Sequence, residues 1–221
     1  MSSTINKLVP FNEVEGIAST NVPAYSNRNS SIFRIGRQYH HGIYTGFQWQ
    51  CVEFARRWLL IRKSCVFRDI PCACNIWDDV PHIERVTDGQ QFPLHAVPNG
   101  SPTPPKKDSL LIYKRSGRMP FGHVAIITDV INNYVHIAEQ NNLHHYWSDD
   151  HARRAPLRHE NGRYYIDDVD KLYGWMEIDD NGQLEPFDEA NKDKILEQYI
   201  YRQPVGFFRR LFGSNKTTNS N

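Results

Sequence analysis

The segment 50–63 constrains the fold most strongly, because it contains neither glycine nor proline and carries apolar residues at helical spacings of three and four. One face of the implied helix collects Cys51, Phe54, Ala55, Trp58 and Leu59. The pattern therefore predicts a helix over 50–63 that packs on this face and carries Cys51 in its first turn.

Short β-type runs follow this helix. The stretch 97–107 holds four prolines and a glycine, which predicts a surface loop. Runs typical of strands are found at 109–113, 123–129, 134–140, 163–166 and 173–178. One helix followed by several closely spaced strands indicates an α+β domain with an antiparallel sheet.

The C-terminal part carries weaker patterns. Residues 191–201 favour a short helix, and 214–221 is polar enough to be disordered. Between them, the segment 207–212, which begins at Phe207 and ends at Phe212, is aromatic and basic. It is expected either to dock back onto the domain or to contact a partner or a membrane surface.

Composition argues against several classes of function. The chain has 26 Lys and Arg against 25 Asp and Glu, so its net charge of +1 gives no reason to expect a basic surface that binds nucleic acid. No apolar run approaches the ~18 residues of a membrane span. The first ten residues lack the pattern of a secretory signal, so we expect a cytoplasmic protein. Its four cysteines should then stay reduced.

Cys72 and Cys74, with His82 and His95, offer the elements of a metal site. The C-x-C spacing is not the usual one for zinc, and no second pair of ligands accompanies it. We therefore expect these cysteines to be buried thiols, and we expect no metal and no other cofactor.

Cys51 is a candidate nucleophile because of its place at the helix start. Free backbone N–H groups and the positive end of the helix dipole favour an anion there, which lowers the pKa of a thiol. The alternative is that Cys51 is an ordinary core residue of an amphipathic helix. Other residues must decide between the two.

His123 and Glu139 supply the deciding geometry. The strands 123–129 and 134–140 are joined by a turn-like segment, and a reversal centred on residue 131 places His123 directly opposite Glu139. Opposed residues on one face lie close enough for a carboxylate to hold an imidazole. A one-residue slip would put them on opposite faces. A thiol with a carboxylate-supported histidine is the minimal apparatus of a cysteine amidohydrolase.

Four ordered motifs carry a family resemblance. They are GFQWQCVEFARRW at 46–58, PNGSP at 98–102, FGHVAIIT at 121–128 and IAEQN at 137–141. They resemble the CHAP amidase domain, the cysteine, histidine-dependent amidohydrolase/peptidase family, and in particular the amidase halves of glutathionylspermidine and trypanothione synthetase/amidases. NVPAY at 21–25 and GWM at 174–176 extend the similarity.

The resemblance implies a papain-like α+β fold in which the helix that bears the nucleophile packs on an antiparallel sheet. It implies a lead-in at 1–14, a CHAP amidase domain at 15–182, and a C-terminal helix and flexible tail at 183–221. It also implies Cys51 as nucleophile, His123 as acid and base, and Glu139 as the orienting carboxylate.

The same resemblance implies that Gln50, Arg56 and Asn141 lie around the substrate. The backbone N–H of Cys51 is the expected oxyanion donor, joined by a side-chain amide of Gln50 or Asn141. Arg56 either binds a substrate carboxylate or braces the loop that carries Gln50.

The implied substrate is a small molecule, the amide between the glycine carboxyl of glutathione and a polyamine such as spermidine. The bifunctional relatives continue into an ATP-dependent synthetase domain and this sequence stops after a short tail, so we expect hydrolysis without synthesis. Four acidic residues either attract the cationic polyamine or are solvated turn residues: Asp78, Asp79, Asp149 and Asp150.

Two other functions remain open at this point. A CHAP hydrolase with the same chemistry would cut peptidoglycan or an isopeptide bond in a protein, although the former usually requires export. A binding module would keep the fold and hold glutathione conjugates without turnover.

Overall fold

The computed structural model describes residues 8–28 and 36–203 of the 221-residue chain. The strands in these ranges are β1 (Val14–Ile17), β2 (Pro23–Tyr25), β3 (Arg37–His40), β4 (Ile43–Phe47), β5 (Cys65–Val66), β6 (His82–Arg85), β7 (Gln91–Pro98), β8 (Leu110–Tyr113), β9 (His123–Ile131), β10 (Tyr134–Ala138), β11 (Arg153–Glu160), β12 (Arg163–Ile166) and β13 (Leu172–Ile178). The helices are α1 (Cys51–Lys63), α2 (Ile76–Asp79), α3 (Lys192–Arg202) and two short 3₁₀ turns, Ala73–Asn75 and Glu189–Asn191.

Nine strands form one sheet in the order β12-β11-β10-β9-β8-β13-β7-β6-β5, and every pairing in it is antiparallel. The hairpins β1–β2 and β3–β4 stand apart as two-stranded sheets. Few helices and one large antiparallel sheet confirm the predicted α+β class.

The middle of the sheet is covered on both faces. Leu110 and Ile112 of β8 share a core with Phe54 and Trp58 of α1. The alternate residues of the same strand, Leu111 and Tyr113, point the other way, into a second core that contains Trp175 of β13. Because successive side chains of a strand alternate between faces, β8 is buried at every position.

Helix α1 confirms the predicted helix, with Gln50 as the residue that precedes it. It ends at Ser64, whose left-handed backbone turns its N–H onto the carbonyl oxygens of Leu59 and Leu60. Burial extends beyond the predicted apolar face, since Glu53, Arg56 and Arg57 are buried as well.

All five predicted strands are present, with ends that differ by up to two residues from those predicted. The predicted loop 97–107 is wrong at its start, because β7 continues to Pro98, where it pairs with Gly174 of β13. The remainder of that loop forms no strand or helix.

The short helix expected at 191–201 is α3, and it packs on the domain. Ile195 and Tyr199 share a core with Ile43, Leu60 and Phe187. The aromatic segment 207–212 lies outside the described residues. Among the residues that the structure describes, no helix has the length and apolar character needed to cross a bilayer.

Gly174 offers a test of this sheet. A Cβ atom at Gly174 would lie 2.0 Å from the carbonyl oxygen of Val97 on β7, so backbone would have to move. We expect Gly174→Ala to lower the free energy of unfolding by about 3 kcal/mol, as overpacking at a site with no space does. Urea denaturation measures it. Gly117→Ala is the matched control, because a Cβ there meets nothing within 4 Å; equal stability of the two variants would contradict the tight contact.

Candidate active site

Cys51 is the first residue of α1, and its sulfur lies among hydrogen-bond donors. The backbone N–H groups of Val52 and Val124 and the side chain of His123 bond to it. Burial raises the pKa of this thiol, but the charge of His123 and these hydrogen bonds outweigh burial and lower the pKa below its ordinary value. The surroundings of the sulfur therefore favour its ionised form.

His123 is the first residue of β9 and is almost fully buried. Its Nε2 lies 3.0 Å from Oε2 of Glu139, which leaves Nδ1 as the nitrogen for Cys51. Burial lowers the pKa of His123, but the thiolate of Cys51 and the carboxylate of Glu139 raise it to about 9. Thiolate and imidazolium thus stabilise each other.

The register of the β9–β10 hairpin differs from the predicted one. Its turn is formed by Asn132 and Asn133, both with left-handed backbone, so the predicted reversal at residue 131 is wrong. His123 is therefore not directly opposite Glu139. The register continues Ala138↔Ile126, and one step further Glu139 would oppose Ala125, two residues from His123.

A β-bulge keeps the two side chains on one face nevertheless. His136 pairs with Asp129, but Ile137 pairs with Ile127, so Thr128 is an extra residue on β9. Without it the register would be shifted by one residue, and His123 and Glu139 would point to opposite faces. Because of the bulge they are diagonal neighbours on one face, within reach of long side chains.

Glu139 is held as a carboxylate by donors that sequence reasoning missed. Arg153 donates from Nε to Oε1 at 2.6 Å, and Asn142 donates to the same oxygen at 2.8 Å. Burial raises the pKa of Glu139, but Arg153 and His123 lower it far below the ordinary value. Arg153 in turn donates to Asp168 at 2.7 Å and to the hydroxyl of Tyr113 at 2.8 Å.

Gln50 and Asn141 both line the cavity beside Cys51. Asn141 donates to Oε1 of Gln50 at 2.9 Å and accepts a bond from Asn27 at 3.0 Å. Gln140 donates to the backbone carbonyl of Gln50 at 3.2 Å. The structure therefore brings both predicted residues to the site and fixes the orientation of the Gln50 amide.

Arg56 lies behind the site instead of in it. Its guanidinium is buried and donates to the backbone carbonyls of Thr45, Phe67 and Tyr44. It does not line the cavity. The guanidinium therefore braces β4 and the backbone at Phe67, and not the loop that carries Gln50, and it does not face the cavity.

A cavity of about 750 Å³ opens in front of the sulfur. Its walls come from the residues around the start of α1, from 69–71 and Ala73, from 117–123 and from Asn141 and Asn142. Asp69 is its acidic lining residue outside α1, whereas the four acids singled out in the sequence, Asp78, Asp79, Asp149 and Asp150, lie outside its lining.

The comparisons with known proteins agree with this geometry. Residues 42–141 match the family described as CHAP domain. Residues 42–141 are a CHAP domain. Cys51, His123 and Glu139 all fall inside the matched range.

Two curated relatives extend the similarity beyond the CHAP domain. Trypanothione synthetase of Crithidia fasciculata is 40% identical over 163 residues, which cover 73% of this chain and 25% of the relative. Bifunctional glutathionylspermidine synthetase/amidase of Escherichia coli K12 is 36% identical over 190 residues, 78% of this chain and 30% of the relative. The chain thus spans between a quarter and a third of the length of these relatives.

Among solved structures, the crystal structure of Ly7917 aligns with a TM-score of 0.35 and 16% identity, over 58% of this chain and 53% of that one. The antiparallel sheet with α1 packed on it matches the α+β, papain-like architecture expected of a CHAP domain. The family match over 42–141 and this architecture together confirm the fold that the resemblance implied.

The other three cysteines, Cys65, Cys72 and Cys74, do not line the cavity beside Cys51. All four are free thiols. Among the described residues, the ligand atoms of Cys72, Cys74, His82 and His95 do not come together in one group. Cys74 instead accepts a bond from Arg115 at 3.1 Å, and His95 contacts Asp179. Burial raises the pKa of Cys65 to about 12, which makes it inert.

The state of the Cys51 sulfur can be measured without a substrate. We expect brief iodoacetamide treatment at neutral pH to alkylate Cys51 at least ~100-fold faster than Cys65, since only a thiolate reacts. Peptide mass spectrometry gives both rates. His123→Gln should slow the reaction of Cys51, because the imidazolium that lowers its pKa is gone. An unchanged rate in this variant would mean that His123 does not ionise the thiol.

Proposed function

We propose that this chain is a cysteine amidase that hydrolyses the amide bond between the glycine carboxyl of glutathione and a polyamine. The observation that carries the proposal is the buried chain of contacts from Cys51 through His123 to Glu139, which opens onto a cavity. The names of the relatives, which act in trypanothione and glutathionylspermidine chemistry, support the substrate class.

The first half of the reaction forms a thioester. The Cys51 thiolate attacks the amide carbon, and the electron pair of the carbonyl moves onto oxygen. As the tetrahedral intermediate collapses, the C–N bond breaks and His123 gives its proton to the departing nitrogen. The polyamine leaves as an amine, and glutathione stays attached to sulfur through its glycine carbonyl.

Oxyanion stabilisation falls to the start of α1. The backbone N–H of Cys51 belongs to the first helical turn, where N–H groups have no partner within the helix. Gln50 is the second donor in this proposal, and the bond from Asn141 to its Oε1 supports that choice by taking up the acceptor end of its amide. Such preorganised donors stabilise the charge that develops on the oxygen.

The second half releases glutathione. Neutral His123 takes a proton from a water molecule, and the resulting hydroxide adds to the thioester carbonyl. The C–S bond then breaks, and Cys51 returns as a thiolate beside imidazolium. Throughout, Glu139 stabilises the charged ring and fixes its tautomer, so that Nδ1 faces the sulfur.

The cavity has charged side chains of both signs, which suits a conjugate with a cationic polyamine end and an anionic γ-glutamyl end. Asp69 offers a carboxylate for an ammonium group of the polyamine, and Arg118 offers a guanidinium for the carboxylate of the γ-glutamyl residue. Arg118 is more than half exposed and is held by Asp170 at the cavity rim. These two side chains replace the four acids considered from sequence, which lie outside the cavity lining.

Incubation with glutathionylspermidine tests the proposal. We expect release of spermidine and glutathione in equal amounts, none from Cys51→Ala, and a loss of at least ~10²-fold in His123→Ala, as removal of a general acid and base costs. Chromatography of the two products measures this. Cys72→Ala is the matched control and should retain activity, since its thiol is outside the cavity lining.

Two outcomes would contradict the proposal in different ways. Turnover that survives in Cys51→Ala would exclude the thioester mechanism. If glutathionylspermidine is not hydrolysed, but purified cell walls are digested and this digestion requires Cys51, the mechanism would stand and the substrate would be peptidoglycan.

The pH profile of kcat/KM tests the role of Glu139. Activity should fall above pH about 9, because His123 then loses the proton that the leaving amine needs. Glu139→Gln removes a charge that raises the pKa of His123, so this upper limb should move to lower pH. The same substrate, a glutathione amide of an uncharged amine, is used for both proteins, so titration of its own thiol and α-amino group contributes equally to the two profiles.

Glu160→Gln is the control for that experiment, because Glu160 is exposed on β11 and pairs with Arg158. Its profile should match that of the parent protein. An upper limb that stays in place in Glu139→Gln would mean that Glu139 does not set the pKa of His123.

A further inference from the structure

A second group of converging side chains lies outside the cavity. His40 is the last residue of β3, His41 lies in the turn before β4, and Glu189 begins the 3₁₀ turn Glu189–Asn191 that precedes α3. The proposed amidase mechanism uses none of them. About 150 residues of sequence separate the histidines from the glutamate, so only the fold brings them together.

Their ligand atoms meet at one point. Nε2 of His41 lies 2.6 Å from Oε2 of Glu189, and Nε2 of His40 lies 3.9 Å from Oε1. One nitrogen from each ring and one carboxylate oxygen all lie within 4.8 Å of one another. Donor atoms that share one ion at about 2 Å each lie at most about 4 Å apart, and both imidazole–carboxylate contacts are within that limit.

Both imidazole nitrogens lack an aligned hydrogen bond. Nε2 of His40 and Nε2 of His41 are shielded from solvent, and neither has a hydrogen-bond partner. The short contact of His41 with Glu189 does not have hydrogen-bond alignment. Buried polar atoms without a partner are uncommon in folded proteins, and a bound ion is one of the explanations for them.

The rings are held in place by packing. His41 stacks on Phe187 with centroids 5.2 Å apart and planes 10° apart, and His40 meets the same ring edge-on. Phe187 belongs to the buried core that contains Ile43 and Leu60. The ligand atoms are therefore preorganised, as a metal site requires.

We propose that His40, His41 and Glu189 bind a divalent transition-metal ion of the Zn²⁺ class. Two imidazole nitrogens and one carboxylate are a donor set that zinc takes in proteins, and a fourth position is left for water. Hard cations such as Mg²⁺ prefer oxygen ligands alone. This site amends the expectation from sequence that the chain binds no metal.

The position of the ion gives it a structural role. It joins the β3–β4 hairpin, which leads directly into α1, to the segment that enters α3. Binding to the folded state alone stabilises that state. The ion would therefore secure the approach to Cys51 without touching the reacting atoms.

A second cluster provides the matched comparison. His136, Asp150 and His151 also bring three ligand atoms together. There the imidazole rings stack at 4.2 Å with planes 24° apart, and Nδ1 of His151 already bonds to Asp150 at 3.0 Å. The first cluster is favoured because Nε2 of His40 and Nε2 of His41 are buried without a hydrogen-bond partner, whereas His151 already has one.

The test is titration of the full chain with Zn²⁺ by calorimetry. It uses Cys51→Ala as the background, because the Cys51 and His123 pair would itself bind zinc. We expect one equivalent of Zn²⁺, no comparable heat with Mg²⁺, and a melting temperature that rises by ~5 to 10 °C at 100-fold excess over Kd. Glu189→Gln should weaken binding by more than the ~10- to 100-fold typical of an outer-shell partner.

Further variants make each outcome decisive. Glu189 is 60% exposed, so Glu189→Gln should keep the circular dichroism spectrum of the parent, and His41→Gln repeats the test from the other ligand. His151→Gln should leave the affinity unchanged. Absence of zinc binding, equal binding of Mg²⁺, or a zinc equivalent that survives Glu189→Gln and is lost in His151→Gln or Cys74→Ala would overturn the proposal. Turnover of the proposed substrate is not a readout here, so the two proposals fail separately.

Discussion

The hydrogen bond between His123 and Glu139 is the interaction on which the rest of the site depends. Both side chains are only 3% exposed, and a carboxylate in that position is costly to desolvate unless it is paired and bonded on all sides. Arg153 and Asn142 supply the remaining donors. Because these donors keep Glu139 ionised, His123 can carry a proton, and because His123 carries a proton, Cys51 can be a thiolate.

Backbone features bring these groups together. The bulge at Thr128 sets the face on which His123 and Glu139 meet. Gly122 has a φ of +68°, and a Cβ atom there would lie 2.5 Å from the Cβ of Cys74 and 2.7 Å from the carbonyl oxygen of Tyr113. Only glycine permits the chain to pass so close to its neighbours immediately before His123. The position of the imidazole is thus determined by backbone packing more than by its own contacts.

Features that depend on neighbouring residues of the sequence could be predicted, and features that depend on tertiary contacts could not. Helix α1 and the place of Cys51 at its start follow from periodicity alone, and the antiparallel class follows from short strands. The bulge cannot be seen in the alternation of apolar residues, so the predicted register was wrong. The predicted contact between His123 and Glu139 is nevertheless present. Arg153 was missed because the proline at 156 argued against a strand at β11. The strand accepts Pro156 because its pairing with β10 ends there. His40 and Glu189 meet only through the tertiary fold.

The ionisable groups in contact around Cys51 form a series that, in the proposed mechanism, has charges of alternating sign. A Cys51 thiolate would face the His123 imidazolium, His123 is bonded to Glu139, and Arg153 links Glu139 to Asp168. Each charge is stabilised by the next, so removal of an inner member leaves two neighbours buried without a counter-charge. Arg153 suits its place because a planar guanidinium donates to Glu139, Asp168 and Tyr113 at once, which the single ammonium of lysine cannot match in geometry. The contacts that favour ionisation of Cys51 therefore extend as far as Asp168, which follows the end of β12 at Ile166 by two residues.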